Sequence, residues 1–167
     1  MIIRPCTAAD IPLALDIIQQ VQAEFCRKGI NQWQDGYPAL SDLEKDLSRG
    51  YAYIIEQDQR PVGYFALCFC DDPFYASIYD GAWLCAGPYG VVHRLAVLPS
   101  MRRKGLAQAV LEYAVQEARK QGMQSLRVDT HEQNTPTLNL LNKTGFTPCG
   151  TIFVRKHGKR AAFEKLI

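Results

Sequence analysis

The stretch Arg94-Leu-Ala-Val-Leu-Pro-Ser-Met-Arg-Arg-Lys-Gly-Leu-Ala-Gln108 runs an apolar strand into a short basic turn and straight on into an amphipathic helix. Within it, Arg102-x-x-Gly105-x-Ala107 sets one cation, one glycine and one small residue where the helix begins. The first amides of a helix have no intrahelical acceptor and the helix dipole adds to them, so this is the local pattern of a pyrophosphate cradle. A glycine at 105 lets a phosphate reach the backbone where a Cβ would obstruct it, and a small residue at 107 does the same one step later. Each charge interaction at an exposed helix start is worth only about 0.3–1 kcal/mol, so binding there needs several N–H groups together with Arg102, Arg103 and Lys104.

Working outward, strands are expected at 2–4, 51–56, 62–69, 91–98, 125–130, 146–155 and 160–166. Thr7-Ala-Ala-Asp10 reads as a capping box ahead of a helix whose apolar positions Ile11, Ala14, Leu15, Ile18, Val21 and Phe25 recur at three and four, with Gly29 as its stop. Ser41 with Glu44 caps a second helix ending near Gly50. The helix over 104–121 carries one apolar stripe, Leu106, Ala107, Val110, Leu111, Ala114, Val115 and Ala118, and a short helix follows over 137–143. Gln57-Asp-Gln-Arg-Pro61 joins two strands as an antiparallel hairpin, and 71–90 is a long aromatic connection of the kind that tends to carry function.

At 167 residues with 47% apolar content the chain makes one domain, 1–167, with a core that needs neither disulfides nor metal. The 19 basic and 17 acidic side chains balance too closely for a surface that binds nucleic acid non-specifically. Arg102-Arg-Lys104 with Lys156, Lys159 and Arg160 is the one basic grouping that would serve such a partner, and it lacks interleaved aromatics. No nucleic acid is expected. The six cysteines are read as free thiols, Cys68 and Cys70 sharing one face of a strand rather than holding a metal. No apolar run nears the roughly 18 residues that cross a bilayer, so no membrane is expected and the compartment is read as cytoplasm.

A second element, Asn134-x-x-x-x-x-Leu140-Leu-x-Lys143-x-Gly145-Phe146, follows the turn in the order seen in one superfamily, and the chain resembles the GNAT acetyltransferases. The resemblance implies an α/β (α+β) fold: a mixed, mainly antiparallel sheet of about seven strands flanked by about four helices, splayed between the fourth and fifth strands. It implies acetyl-CoA as co-substrate with no metal, transfer of the acetyl group to a primary amine by direct attack on the thioester, and compatibility with a homodimer. Carried over by residue, Leu95, Ala96 and Val97 would meet the pantetheine arm through their backbone. Arg102 is the first cation of the loop, and Arg103, Lys104, Gly105, Leu106, Ala107 and Gln108 would hold the pyrophosphate. Asn134 would bond the pantetheine, and Lys143 would reach the outer phosphate.

The superfamily commonly places a tyrosine after the leucine at 140, and here stands Leu141. Tyr64, Tyr75, Tyr79 and Tyr89 are the other phenols that can return a proton, although a thiolate leaves readily without one. A lysine-like amine near pKa 10.4 costs about 4 kcal/mol to deprotonate at neutral pH and a peptide α-amine about 1 or less, so the need for a base depends on the acceptor. His93 and Asp129 are the candidate bases, strand alternation setting His93 and Arg94 on opposite faces. Trp33, Tyr37, Tyr79 and Trp83 can wall an acceptor pocket, suited to a partly apolar amine or a peptide. A small-molecule amine or amino acid leads as acceptor over a protein N-terminus or lysine. The missing tyrosine keeps a non-catalytic acyl-CoA sensor as the alternative.

Overall fold

Seven strands and four helices are formed among the described residues, 1–154 and 158–167, of the computed structural model. In chain order they are β1 (Ile2–Pro5), α1 (Ile11–Arg27), α2 (Leu40–Ser48), β2 (Ala52–Gln57), β3 (Arg60–Cys68), β4 (Tyr89–Val97), α3 (Leu106–Lys120), β5 (Ser125–Thr130), α4 (Thr135–Lys143), β6 (Thr147–Val154) and β7 (Gly158–Leu166). The sheet order is β1-β2-β3-β4-β5-β7-β6. Pairs β1/β2, β2/β3, β5/β7 and β6/β7 are antiparallel, and β4/β5 is parallel. This is the mixed, mainly antiparallel sheet that the sequence implies. Residue contacts gather into two compact units, Met1–Leu67 with His93–Val110 and Cys68–Val92 with Leu111–Ile167. No helix among the described residues is long and apolar enough to cross a membrane.

In the first unit α1 buries Ile11, Ala14, Ile17, Ile18, Val21 and Phe25 against Ile54, Tyr64 and Ala96 of the strands. Its start is fixed as expected, because the Asp10 carboxylate accepts the Thr7 N–H at 2.8 Å and hydroxyl at 2.7 Å. Arg4 then forks onto both Asp10 oxygens at 2.8 Å and reaches Glu56 with its Nε at 2.9 Å, tying β1 to α1 and β2. α2 departs from expectation. Asp42, not Glu44, accepts the free amide, that of Ala39 at 2.9 Å, so the helix starts at Leu40 instead of after Ser41. The β2–β3 turn is tighter than the sequence implies, with only Asp58 (φ 51°) and Gln59 (φ 61°) outside the ladder, the left-handed pair that suits strand twist.

In the second unit β5 occupies the expected residues, and α4 begins two residues early because Asn134 caps it. β3 ends at Cys68, so Cys70 lies outside the strand and the shared strand face expected for the two thiols does not form. The long connection folds onto β6, where Tyr79 and Thr151 exchange backbone bonds of 2.8 and 2.7 Å. Arg155, the expected end of the strand at 146–155, and Lys156 of the basic grouping lie outside the described residues.

The fork from Arg4, against the opposing pull of burial and with help from Thr7, holds the Asp10 carboxyl well below the usual carboxylate range. A lowered carboxylate contributes its stability fully above its unfolded pKa of about 3.9 and loses it as pH falls toward the folded value. Asp10→Asn is expected to cost about 1–2 kcal/mol at neutral pH. Urea melts should show the gap between the two proteins closing below about pH 4.

Candidate active site

The backbone between β4 and α3 is shaped by one turn of 3-10 helix, Pro99–Met101, and then by two residues that only a constrained loop holds. Arg103 (φ 61°) and Gly105 (φ 79°) are both left-handed, and α3 starts at Leu106. A Cβ built on Gly105 would meet nothing within 4 Å, so the glycine is required by its φ and not by a lack of space for a side chain. Arg103, Lys104 and Gly105 are exposed, Ala107 and Gln108 are half-buried, and Leu106 is 5% exposed, pinning the helix start into the core. Arg102 of the expected cradle already has a partner within the chain. Its Nη1 pairs at 2.5 Å with Glu24 of α1, which also holds Lys28 at 2.5 Å, because a glutamate 7% exposed needs counter-charge more than the open turn does. Burial works against the Glu24 charge, yet Lys28 and Arg102 together keep its carboxyl below the usual range.

β4 carries a left-handed residue of its own, Arg94 (φ 55°), a departure from regular strand pleating of the kind a bulge makes. The Arg94 guanidinium sits 5.4 Å from the centre of the Tyr37 ring, and its Nη1 lies 3.2 Å from Asp46. Tyr64, fully buried, donates its hydroxyl to Asp46 at 2.8 Å. Burial pushes the Asp46 carboxyl up, while Arg94, the Tyr64 bond and the nearby His93 pull it back. Sequence reasoning missed Asp46 and, although it counted Tyr64 among the candidate acids, the pairing of the two. The signal was present, since Asp46 falls on the same helical face as buried Leu43 and partly buried Leu47. His93 is half-buried beside this group, as are Leu95 and Val97, and Ala96 is fully buried. Trp33 is a core ring, 8% exposed and 5.6 Å from Phe25, while Tyr37 packs at the core edge under Arg94.

In the second unit Asp129 receives the Tyr75 hydroxyl at 2.6 Å and lies 3.9 Å from Arg160. Tyr75 is buried and stacks on Trp83 at 5.5 Å, and the Trp83 indole N–H donates to the Tyr75 carbonyl at 3.0 Å. Tyr79 is 52% exposed, with its ring edge-on to Phe153 at 5.4 Å, so it stands apart from Trp83's stack. Asn134 is 4% exposed and spends its carbonyl oxygen capping α4, and Lys143 is exposed in the last turn of that helix. Of the tyrosines considered as acids, burial raises Tyr64 and Tyr75, and each already donates to an aspartate. Leu141 is 1% exposed in the core. Among the described residues no group of three His, Cys, Asp or Glu is placed to hold a metal.

The family model described as "Acetyltransferase (GNAT) family" matches residues 18–146, which include the turn, the Arg94 bulge and the Asn134 cap. The chain belongs to the GNAT acetyltransferase family. A GNAT-family acetyltransferase from Streptococcus agalactiae is 31% identical with a TM-score of 0.90, over 99% of this chain and 95% of that one. The Thermoplasma acidophilum PaiA N-acetyltransferase, solved in complex with coenzyme A, shares the GNAT fold at 16% identity and a TM-score of 0.73, over 99% and 98% of the two chains. The Arabidopsis thaliana protein GCN5-related N-acetyltransferase 6, chloroplastic, is 40% identical over 58 residues, 35% of this chain and only 20% of that relative's length.

Removing the carboxylate at 46 would leave Arg94 buried beside an uncompensated hydroxyl. Asp46→Ala is expected to cost about 3–5 kcal/mol in chemical denaturation, and Tyr64→Phe about 1–2 kcal/mol.

Proposed function

We propose that this GNAT protein is an acetyl-CoA-dependent N-acetyltransferase whose acceptor is a primary amine, a small molecule or amino acid ahead of a protein N-terminus or lysine. The observation that carries the reading is the left-handed turn at Arg103 and Gly105 directly before α3, with unobstructed space where a Gly105 side chain would stand. An anion fits there, because the amides lack intrahelical acceptors and the charges of Arg103 and Lys104 stand at its flank. When bound, acetyl-CoA supplies the acetyl group as an activated thioester for direct attack by the amine. Amides 103–108 would hold its pyrophosphate and the backbone of Leu95, Ala96 and Val97 its pantetheine arm. Arg102 is assigned to Glu24 instead.

His93 takes the role of general base in this reading. Asp129 has its two oxygens engaged by Tyr75 and Arg160 and serves better to hold Tyr75 in place. Six free thiols fit a reducing compartment such as the cytoplasm. A second reading, an acyl-CoA sensor without turnover, is favoured by Leu141, which packs an apolar side chain where the family commonly has a phenol.

Calorimetry with acetyl-CoA tests the turn. A branched residue strains a φ of 79°, so Gly105→Val should weaken binding by tenfold or more, on the order of 1.4 kcal/mol or above. Arg102→Ala should lower thermal stability while leaving affinity within about threefold. Unchanged binding in a folded Gly105→Val protein removes the basis of the reading. His93→Ala should cut amine-dependent CoA release by about 10²–10⁴-fold with acetyl-CoA affinity retained. Binding with no CoA release across a panel of amines would favour the sensor.

A further inference from the structure

The connection from β3 to β4 forms, with β5, an open depression of about 680 Å³ whose lining includes Asp71, Asp72, Tyr75, Trp83, Tyr89 and Arg127. Small-molecule sites run to about 300–1,000 Å³. Arg127 is the unusual wall. Its side chain is 5% exposed, and its guanidinium lies 4.1 Å from the centre of the Trp83 ring and 3.8 Å from that of Tyr89. Its Nε donates to fully buried Glu164 at 2.9 Å and its Nη2 to the Cys85 carbonyl at 2.9 Å. A guanidinium has five N–H donors. Among the described residues the Nη1 pair has no acceptor, although this charged group borders an open cavity.

Glu164 already neutralises Arg127, so the remaining formal charges of the lining are those of Asp71 and Asp72. A simple anion would take the Nη1 donors but meet two carboxylates. A simple cation would suit the carboxylates and leave the Nη1 donors unused. A zwitterion satisfies both, and the exposed parts of Trp83 and Tyr89 beside Ala76 and Leu84 give its apolar body a lining. Asp72 accepts the Phe74 N–H at 2.9 Å as a turn cap, which leaves exposed Asp71 as the better ammonium partner.

We propose that this cavity binds an α-amino acid with an aromatic side chain, carboxylate on the Arg127 Nη1 edge and ammonium at Asp71. The inference concerns binding and stands apart from the acetyl-transfer reading, because no cofactor enters it. Calorimetry on the full chain, without acetyl-CoA, would compare L-phenylalanine with phenethylamine, which lacks the carboxylate, and hydrocinnamate, which lacks the amine. L-phenylalanine should bind at least about tenfold more tightly than either. Asp71→Asn should bring it down toward hydrocinnamate, and Arg127→Lys, which keeps the charge facing Glu164 but loses the fork, toward phenethylamine. If circular dichroism shows Arg127→Lys unfolded, Asp71→Asn and the three ligands still decide. Equal affinity for all three, no heat at about 10 mM ligand, or an Asp71→Asn protein that binds L-phenylalanine unchanged would overturn the assignment.

Discussion

Left-handed backbone at three positions, Arg94, Arg103 and Gly105, governs the segment on which the candidate site is built. A residue with a Cβ gives up roughly 1–2 kcal/mol in that conformation, so two arginines held there must be repaid by their surroundings. For Arg94 the return is visible: its side chain is turned onto Asp46 and the Tyr37 ring, where regular pleating would have pointed it elsewhere. For Arg103 the gain lies in the chain path. Two left-handed residues fall between the 3-10 turn ending at Met101 and the start of α3 at Leu106, and a Gly105 side chain would stand in open space.

Each compact unit also contains a carboxylate that water scarcely reaches, and each is satisfied in its own way. Asp46, 4% exposed, takes one hydroxyl and one guanidinium, and burial still pushes its carboxyl up. Glu164, fully buried, takes the Ser125 hydroxyl at 2.5 Å, the Leu84 amide and the Nε of Arg127. Three donors on one carboxylate fix the connection between β3 and β4 onto β5 and β7, since Leu84 belongs to the first and Ser125, Arg127 and Glu164 to the others. Buried ion pairs of this kind add little net stability over apolar packing, but they tolerate few alternative arrangements because each lost partner leaves a charge unpaired.

Periodicity made much of this legible. The α1 and α3 stripes, the alternating strands and the glycine after each helix follow from local patterns, and the structure places those elements within a few residues of where the patterns put them. The turn before α3 was legible for the same reason: a strand, a glycine and a helix are local features. The misplaced details share a different cause. Whether Ser41 or Ala39 leads α2 depends on which carboxylate reaches back, and both Asp42 and Glu44 are available in the sequence. Arg102 reads as part of a basic turn until Glu24, 78 residues earlier in the chain, is brought beside it. The pairings of Tyr64 with Asp46 and Tyr75 with Asp129 likewise join residues far apart in the chain, and no local pattern announces them.

Tyr75 shows how such a long-range contact can matter beyond stability. Its hydroxyl is committed to Asp129 at 2.6 Å, its carbonyl to the Trp83 indole, and its ring to the stack that walls the cavity. A side chain 1% exposed has no room to change one of these contacts alone. Whatever displaces Trp83 therefore acts on the oxygen that faces Asp129, and whatever alters Asp129 acts on the cavity wall. Desolvation and the adjacent carboxylate hold the phenol neutral, so it donates to Asp129 without surrendering its proton. That makes Tyr75 a fixed strut between the β5 carboxylate and the aromatic lining, supplied by the connection between β3 and β4.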